Sequence, residues 1–336
     1  MGQGVARARR MWPRATGCGY EEQVVVLTTR GAIVTGWGSA VPEKVLTNDD
    51  LAAQLDTSDE WITERTGIKE RHIGGVTSEL AAEAGRIALQ NANLLPEQID
   101  VLVLATTTPD AMVPGTSAEV QRLLGTGGGA FDLNAACSGF VYALVVAHGL
   151  VMAGANRALV IGADTLSRIT DWNDRTLAVL VGDGAGAVVL EATEGQGQLL
   201  SWDLGADGSL RRLLYCEHGG YLTMDGKETF RRAVRFVVDS SIAVLDRAGM
   251  TPADVDLFVP HQANARIITA AAERLGIPEE RSVVTIDRYG NTSAASIPLA
   301  LVHALDEGRL EPGSTVLLSG FGGGMTWASA VLKWGG

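Results

Sequence analysis

The sequence predicts an α/β fold of two duplicated halves, each a mixed sheet with helices on its faces, and three observations lead to that reading. The stretches from Phe140 to Gly154 and from Thr292 to Leu305 contain no Asp, Glu, Lys or Arg. Each therefore reads as a helix that is apolar all round and buried. A segment also recurs: Leu95-Pro96-Glu97-Gln98-Ile99-Asp100-Val101 is matched by Thr251-Pro252-Ala253-Asp254-Val255-Asp256-Leu257, with Pro96 and Pro252 separated by 156 positions. Finally, 41 glycines in 336 residues suit many tight strand-to-helix turns.

Residues 1–28 carry Arg7, Arg9, Arg10 and Arg14 but no apolar stretch long enough for a secretory signal. They read as a poorly ordered extension, with a transit peptide as the alternative. The first half is placed at 29–200 and the second at 201–336. In the first half, a helix over Ala81–Asn93 leads to a strand ending near Val103, and the run before Cys137 leads to the first buried helix. Strands over Ala158–Ala163 and Gly184–Leu190 follow. In the second half, a helix over Ser241–Gly249 leads to a strand over Val255–Val259. Asp287 then matches Asp132 and precedes the second buried helix, and strands follow at Thr315–Gly320 and Trp327–Leu332. Each half thus reads strand, helix, strand, buried helix, strand, strand, a mixed sheet covered by helices. A pseudo-twofold axis between them brings the buried helices into one layer, so that Cys137 and Asn291 start neighbouring helices.

That placement suggests chemistry. Cys137 lies at a helix N-terminus, whose partial positive charge favours a thiolate. His261, just after Pro260, falls at the carboxyl end of a strand, where ligands gather in open α/β sheets. Cys18, Cys137 and Cys216 match neither a disulfide framework nor a zinc pattern, which points to a reducing cytoplasm and no metal site. A net charge of -12 argues against nucleic acid as a general partner. Ser138–Ala155 approaches the length of a membrane span, but Gly139, Gly149 and Gly154 and its place after a strand favour a buried layer helix. Gly182-Asp183-Gly184-Ala185-Gly186 runs into a strand rather than a helix, so it reads as a tight turn and not a dinucleotide cradle.

Six segments, in order, resemble the thiolase fold and within it the β-ketoacyl-acyl-carrier-protein synthase III family. They are Thr57 to Arg71, the Cys137 segment, Gly182 to Gly186, His261 to Asn264, Gly290 to Ser296, and Gly320 to Gly324, spanning about Gly31 to Trp334. The resemblance implies an αβαβα layered arrangement and an acyltransferase that starts fatty acid synthesis. An acyl-CoA would acylate Cys137, after which malonyl-acyl-carrier-protein would decarboxylate and condense with it. His261 and Asn291 would stabilise the enolate as neutral donors, and the amides of Cys137 and Gly323 would form the oxyanion hole. Asn291 separates this family from elongating relatives, which place a second histidine there. No cofactor is implied beyond the two thioester substrates.

By the same resemblance, Trp61, Arg65, Arg175, Phe230, Asn264 and Phe321 would bind CoA or line the substrate tunnel. Gln262, Ala263, Asn264, Ala265 and Arg266 would meet the acidic carrier protein. Arg231, Arg232, Arg235, Arg274 and Arg281 are further candidates for a basic patch. Val113 would reach across a homodimer interface into the partner's acyl pocket, where its small size leaves room for branched or longer primers. The short connection Ser209–Thr223 bears on primer choice too. A ketosynthase that primes polyketide assembly, or a simple acyltransferase, is the alternative within the same chemistry.

Overall fold

A computed structural model describes residues 30–335 of the chain; the expectation for residues 1–28, and Cys18, lie outside them. Two mixed sheets form the frame. The first has five strands, ordered Arg30–Ala40, Asp183–Glu194, Arg157–Thr165, Val101–Ala105 and Gly129–Leu133. The second has four, ordered Leu257–Pro260, Thr315–Gly322, Thr326–Lys333 and Leu199–Ala206. Its counterpart to the first sheet's edge strand has shrunk to one bridge, Phe258 with Ser282.

Five layers result. The helix Gly139–Met152 and the helix Ser296–Asp306 lie between the sheets, and their buried residues share one core with Val103 and Val160 of the first sheet and Leu318 and Ala330 of the second. The helices Thr77–Asn91 and Thr116–Leu124 cover the outer face of the first sheet. Gly226–Arg247 and Ala265–Leu275 cover the second. This is the αβαβα arrangement of the thiolase-like fold. The central helices are apolar because sheets press on them from both sides, whereas the outer four are amphipathic because one side faces water.

The duplication is exact enough to pair residues, and it revises one expected pairing. Ala158 lies beside Val101 and Leu190, and Val316 lies beside Leu257 and Leu332. Asp164 of the first sheet therefore corresponds to Gly322 of the second. At the central helices, Ala136 (φ 49°) and Ser293 (φ 51°) are left-handed non-glycine residues at equivalent positions, each opening a 3₁₀ turn that runs into its buried helix. Asn134 Oδ1 accepts from the Ala136 amide at 3.1 Å, and Asn291 Oδ1 accepts from the Ser293 amide at 2.9 Å. The counterpart of Asn291 is thus Asn134, and the counterpart of Cys137 is Ala294. Matching Asp132 with Asp287 missed this by two residues, because the loop ahead of each elbow differs in length.

Candidate active site

Cys137 and Asn291 open onto one cavity of about 310 Å³, which Asn134, Ser293 and Gly323 also line. Asn291 is held on both sides by the chain before Gly182. Its amide donates to Leu180 O at 2.7 Å, and its carbonyl accepts from the Gly182 amide at 2.8 Å. Gly290, with φ +64°, precedes it, and a Cβ there would lie 2.9 Å from Leu180 O and 3.2 Å from the Arg71 side chain. Glycine is therefore required beside Asn291. With Oδ1 engaged by Ser293, the Asn291 NH2 is the end left to act as a donor.

Residues 319–322 support the cysteine and the histidine together. The His261 amide donates to Ser319 O at 2.8 Å, which extends the pairing of the strand Leu257–Pro260 by one residue. A Cβ on Gly320 would be 3.4 Å from Cys137 O, and one on Gly322 only 2.4 Å from Cys137 N. The Cys137 amide lies in the first turn of its helical segment, where an N–H has no acceptor earlier in the helix. At the pseudo-symmetric place, the Ala294 amide donates to Asp164 Oδ2 at 3.0 Å. Because the position equivalent to Asp164 is Gly322, no carboxylate among the described residues caps the Cys137 amide, which instead faces its own sulfur. Asp164, Ser293 and Asn134 escaped the sequence reading. Aligning the halves on their two asparagines would have shown the last two.

The electrostatics correct the expected thiolate. Burial pushes the Cys137 thiol from 9.0 up to about 12, opposed by a hydrogen bond with the Ser293 hydroxyl and reinforced by the Asp164 carboxylate. That displacement corresponds to about 4 kcal/mol, whereas a helix terminus supplies ~0.3–1 kcal/mol and at most ~2. The resting group is a thiol. Burial also pushes His261 down to about 3, so its imidazole is neutral. His261 Nδ1 is buried without a hydrogen-bond partner among the described residues, and Phe321 packs edge-on against the ring with centroids 5.5 Å apart. Phe321 thus lies beside His261.

The residues expected at a CoA entrance meet around Trp61. The guanidinium carbon of Arg65 lies 4.6 Å, and that of Arg175 5.1 Å, from the Trp61 ring centroid. Arg175 also pairs with the Asp56 carboxylate at 3.3 Å. Asn264 joins the entrance to the histidine segment, because its Nδ2 donates to Arg65 O at 3.0 Å while its Oδ1 caps the next helix at the Arg266 amide, 2.9 Å away. Arg266 is exposed, with its guanidinium 5.7 Å from the Phe230 ring centroid. Ala263 and Ala265 are half-buried.

Several expected contacts change. Gln262 is buried, with its amide donating to Pro260 O and Val283 O and accepting from Thr285 N, so it holds the fold and cannot face a carrier protein. Arg231 and Arg232 both pair with Glu228, and Arg235 pairs with Asp239. Arg281 donates to Ala253 O and Val255 O. Because Arg231 and Arg232 share one carboxylate, one of their charges is left uncompensated, and Arg266 and Arg274 pair with no carboxylate among the described residues. Val113 is 85% exposed and lies outside its own chain's cavity.

Comparison with known proteins agrees with this geometry. Residues 131–208 match the model of the 3-oxoacyl-[acyl-carrier-protein (ACP)] synthase III family, and residues 245–334 match that of its C-terminal region. A β-ketoacyl-[acyl-carrier-protein] synthase III of Erythrobacter litoralis is 53% identical over 90% of this chain and 99% of its own. The crystal structure of 3-oxoacyl-[acyl-carrier-protein] synthase III from Aquifex aeolicus superposes with a TM-score of 0.89 at 48% identity, covering 90% of this chain and all of that one. The priming β-ketosynthase of the R1128 polyketide pathway superposes with a TM-score of 0.87 at 34% identity, over 93% of this chain and 98% of its own. The chain belongs to the β-ketoacyl-acyl-carrier-protein synthase III family.

Proposed function

We propose that the protein is the condensing enzyme that starts fatty acid synthesis, joining an acyl primer from acyl-CoA to malonyl-acyl-carrier-protein. The observation that carries this reading is the shared cavity of Cys137 and Asn291, with a neutral His261 on the adjoining strand. In the first stage Cys137 sulfur attacks the thioester carbonyl and the bond to CoA breaks. The thiol proton ends on the departing CoA sulfur. The amides of Cys137 and Gly323 receive the transient oxyanion.

In the second stage malonyl loses CO2, and its enolate oxygen accepts hydrogen bonds from His261 and the Asn291 NH2. Each such donor is worth about 3 kcal/mol. Burial serves the histidine here, since a neutral imidazole donates without being consumed as an acid. The carbanion attacks the acyl-cysteine, the oxyanion collapses, and Cys137 recovers a proton. Acyl-CoA, malonyl carrier protein and one proton give β-ketoacyl carrier protein, CoA and CO2.

Trp61, Arg65 and Arg175 fit the nucleotide of CoA, with the indole for stacking and the guanidiniums for phosphate. Asn264 and Phe230 fit the tunnel that follows, and Arg266 fits an acidic carrier protein. The edge strand Gly129–Leu133, with exposed Phe131, Met112 and Val113, fits a homodimer in which Val113 enters the partner's pocket. The free thiols of Cys137 and Cys216 accord with the cytoplasm. No helix among the described residues is long and apolar enough to cross a membrane.

Intact-protein mass spectrometry tests the reading. Mixing with acyl-CoAs of different chain length should add an acyl mass that is absent in Cys137→Ala, and malonyl carrier protein should then release β-ketoacyl carrier protein. A persistent acyl-enzyme that ignores malonyl carrier protein would indicate an acyltransferase instead.

A further inference from the structure

We infer that Arg211 recognises a carboxylate on the acyl part of the substrate, and that its ligand in the condensing reaction is the carboxylate the malonyl unit later loses. The inference rests on the function proposed above. Arg211 lines the same cavity as Cys137 and Asn291, and no Asp, Glu or Lys lines that cavity with it. Arg212, beside it, is occupied with Glu217 at 3.0 Å and with the face of Tyr215. Arg211 has no carboxylate within 4.0 Å among the described residues. Arg211 is exposed to solvent, and it is the one cation among the residues that line this cavity.

The turn that bears Arg211 is fixed to the catalytic loop. Asp207 caps Gly208–Leu213 by accepting from the Ser209 amide at 3.0 Å, and its own amide and carbonyl pair with Met325 O and N at 2.8 and 3.1 Å. A Cβ on Gly323 would lie 2.9 Å from Leu214 O, so the segment also rests on the glycine assigned to the oxyanion hole. The backbone at Arg211 is fixed in this way, and its guanidinium is free to meet a carboxylate with two parallel N–H donors.

Holding the carboxylate is useful only before the reaction. The negative charge moves from the carboxylate to the enolate oxygen as CO2 departs, so contact with Arg211 is stronger in the ground state than in the transition state. Arg211 therefore lowers KM for the malonyl substrate without raising kcat. A primer with a terminal carboxylate would use the same contact, whereas a neutral acyl group would not.

The test is steady-state kinetics of Arg211→Gln and Arg211→Lys with acetyl-CoA and malonyl carrier protein. Cys137 acylation by acetyl-CoA and by succinyl-CoA is followed separately by intact mass. The Gln variant should raise KM for malonyl carrier protein about tenfold with kcat kept or increased, the Lys variant should recover part of the loss, and acetylation should proceed at the wild-type rate. If succinylation slows while KM for malonyl carrier protein is unchanged, the carboxylate belongs to the primer and the malonyl assignment is overturned. Equal slowing of acetylation and condensation would assign Arg211 to the CoA phosphates or to pocket structure and overturn carboxylate recognition altogether. Wild-type enzyme that acylates but never condenses would count against the proposed function rather than against Arg211.

Discussion

Alkylation of Cys137 as a function of pH exposes the balance between burial and the helix terminus. With its pKa near 12, about one molecule in 10⁵ carries the thiolate at pH 7 and about one in 10³ at pH 9. Iodoacetamide reacts with the thiolate, so the rate at Cys137 should climb about tenfold per pH unit from 6 to 10 without levelling. Peptide mass mapping separates Cys137 from Cys216, whose thiol is also raised by burial and by Glu217. A plateau below pH 8 in the wild type would refute the reasoning, because it would mean that the dipole and Ser293 outweigh desolvation.

Other consequences follow from the same geometry. Gly322→Ala would place a methyl 2.4 Å from Cys137 N and 2.8 Å from Ala136 Cβ; blocking one oxyanion donor should lower both acylation and condensation about 10²-fold or more, measured as single-turnover rates. Trp61→Ala removes the ring that both Arg65 and Arg175 face, and KM for acyl-CoA should rise about tenfold with little change in kcat. His261 has a folded pKa near 3 against an ordinary 6.5, so the unfolded state binds the extra proton. Stability should be lost as pH falls from 6.5 towards 3, by up to about 5 kcal/mol, and urea titrations of His261→Asn should show a shallower acid limb.

What the sequence revealed depended on how local the signal was. Two charge-free stretches read as helices enclosed on all sides, and they carry Cys137 and Asn291 to the same layer. Trp61, Arg65 and Arg175 were legible through the family motifs and do meet. Asp164 was not legible, because a strand aspartate acquires meaning only when its partner, the Ala294 amide 130 positions away, is known. Gln262 was misread for the opposite reason, since its neighbours in the motif reach the surface while it turns inward to Val283 and Thr285. The resting charge of Cys137 was misread because a helix terminus is visible in sequence and the depth of burial around it is not.

The crossed clamps at the two helix starts make the halves interdependent. Asp164, on a first-half strand, holds the second-half turn at Ala294, while Gly320 and Gly322, on a second-half strand, seat the first-half turn at Cys137. Neither fragment contains the template for its own elbow. Cutting the connection between Glu194 and Leu199 would yield two inert pieces whose activity returns only by mutual complementation. The cysteine is borne by one half and shaped by the other, so a gene split at this point would behave as an obligate heterodimer.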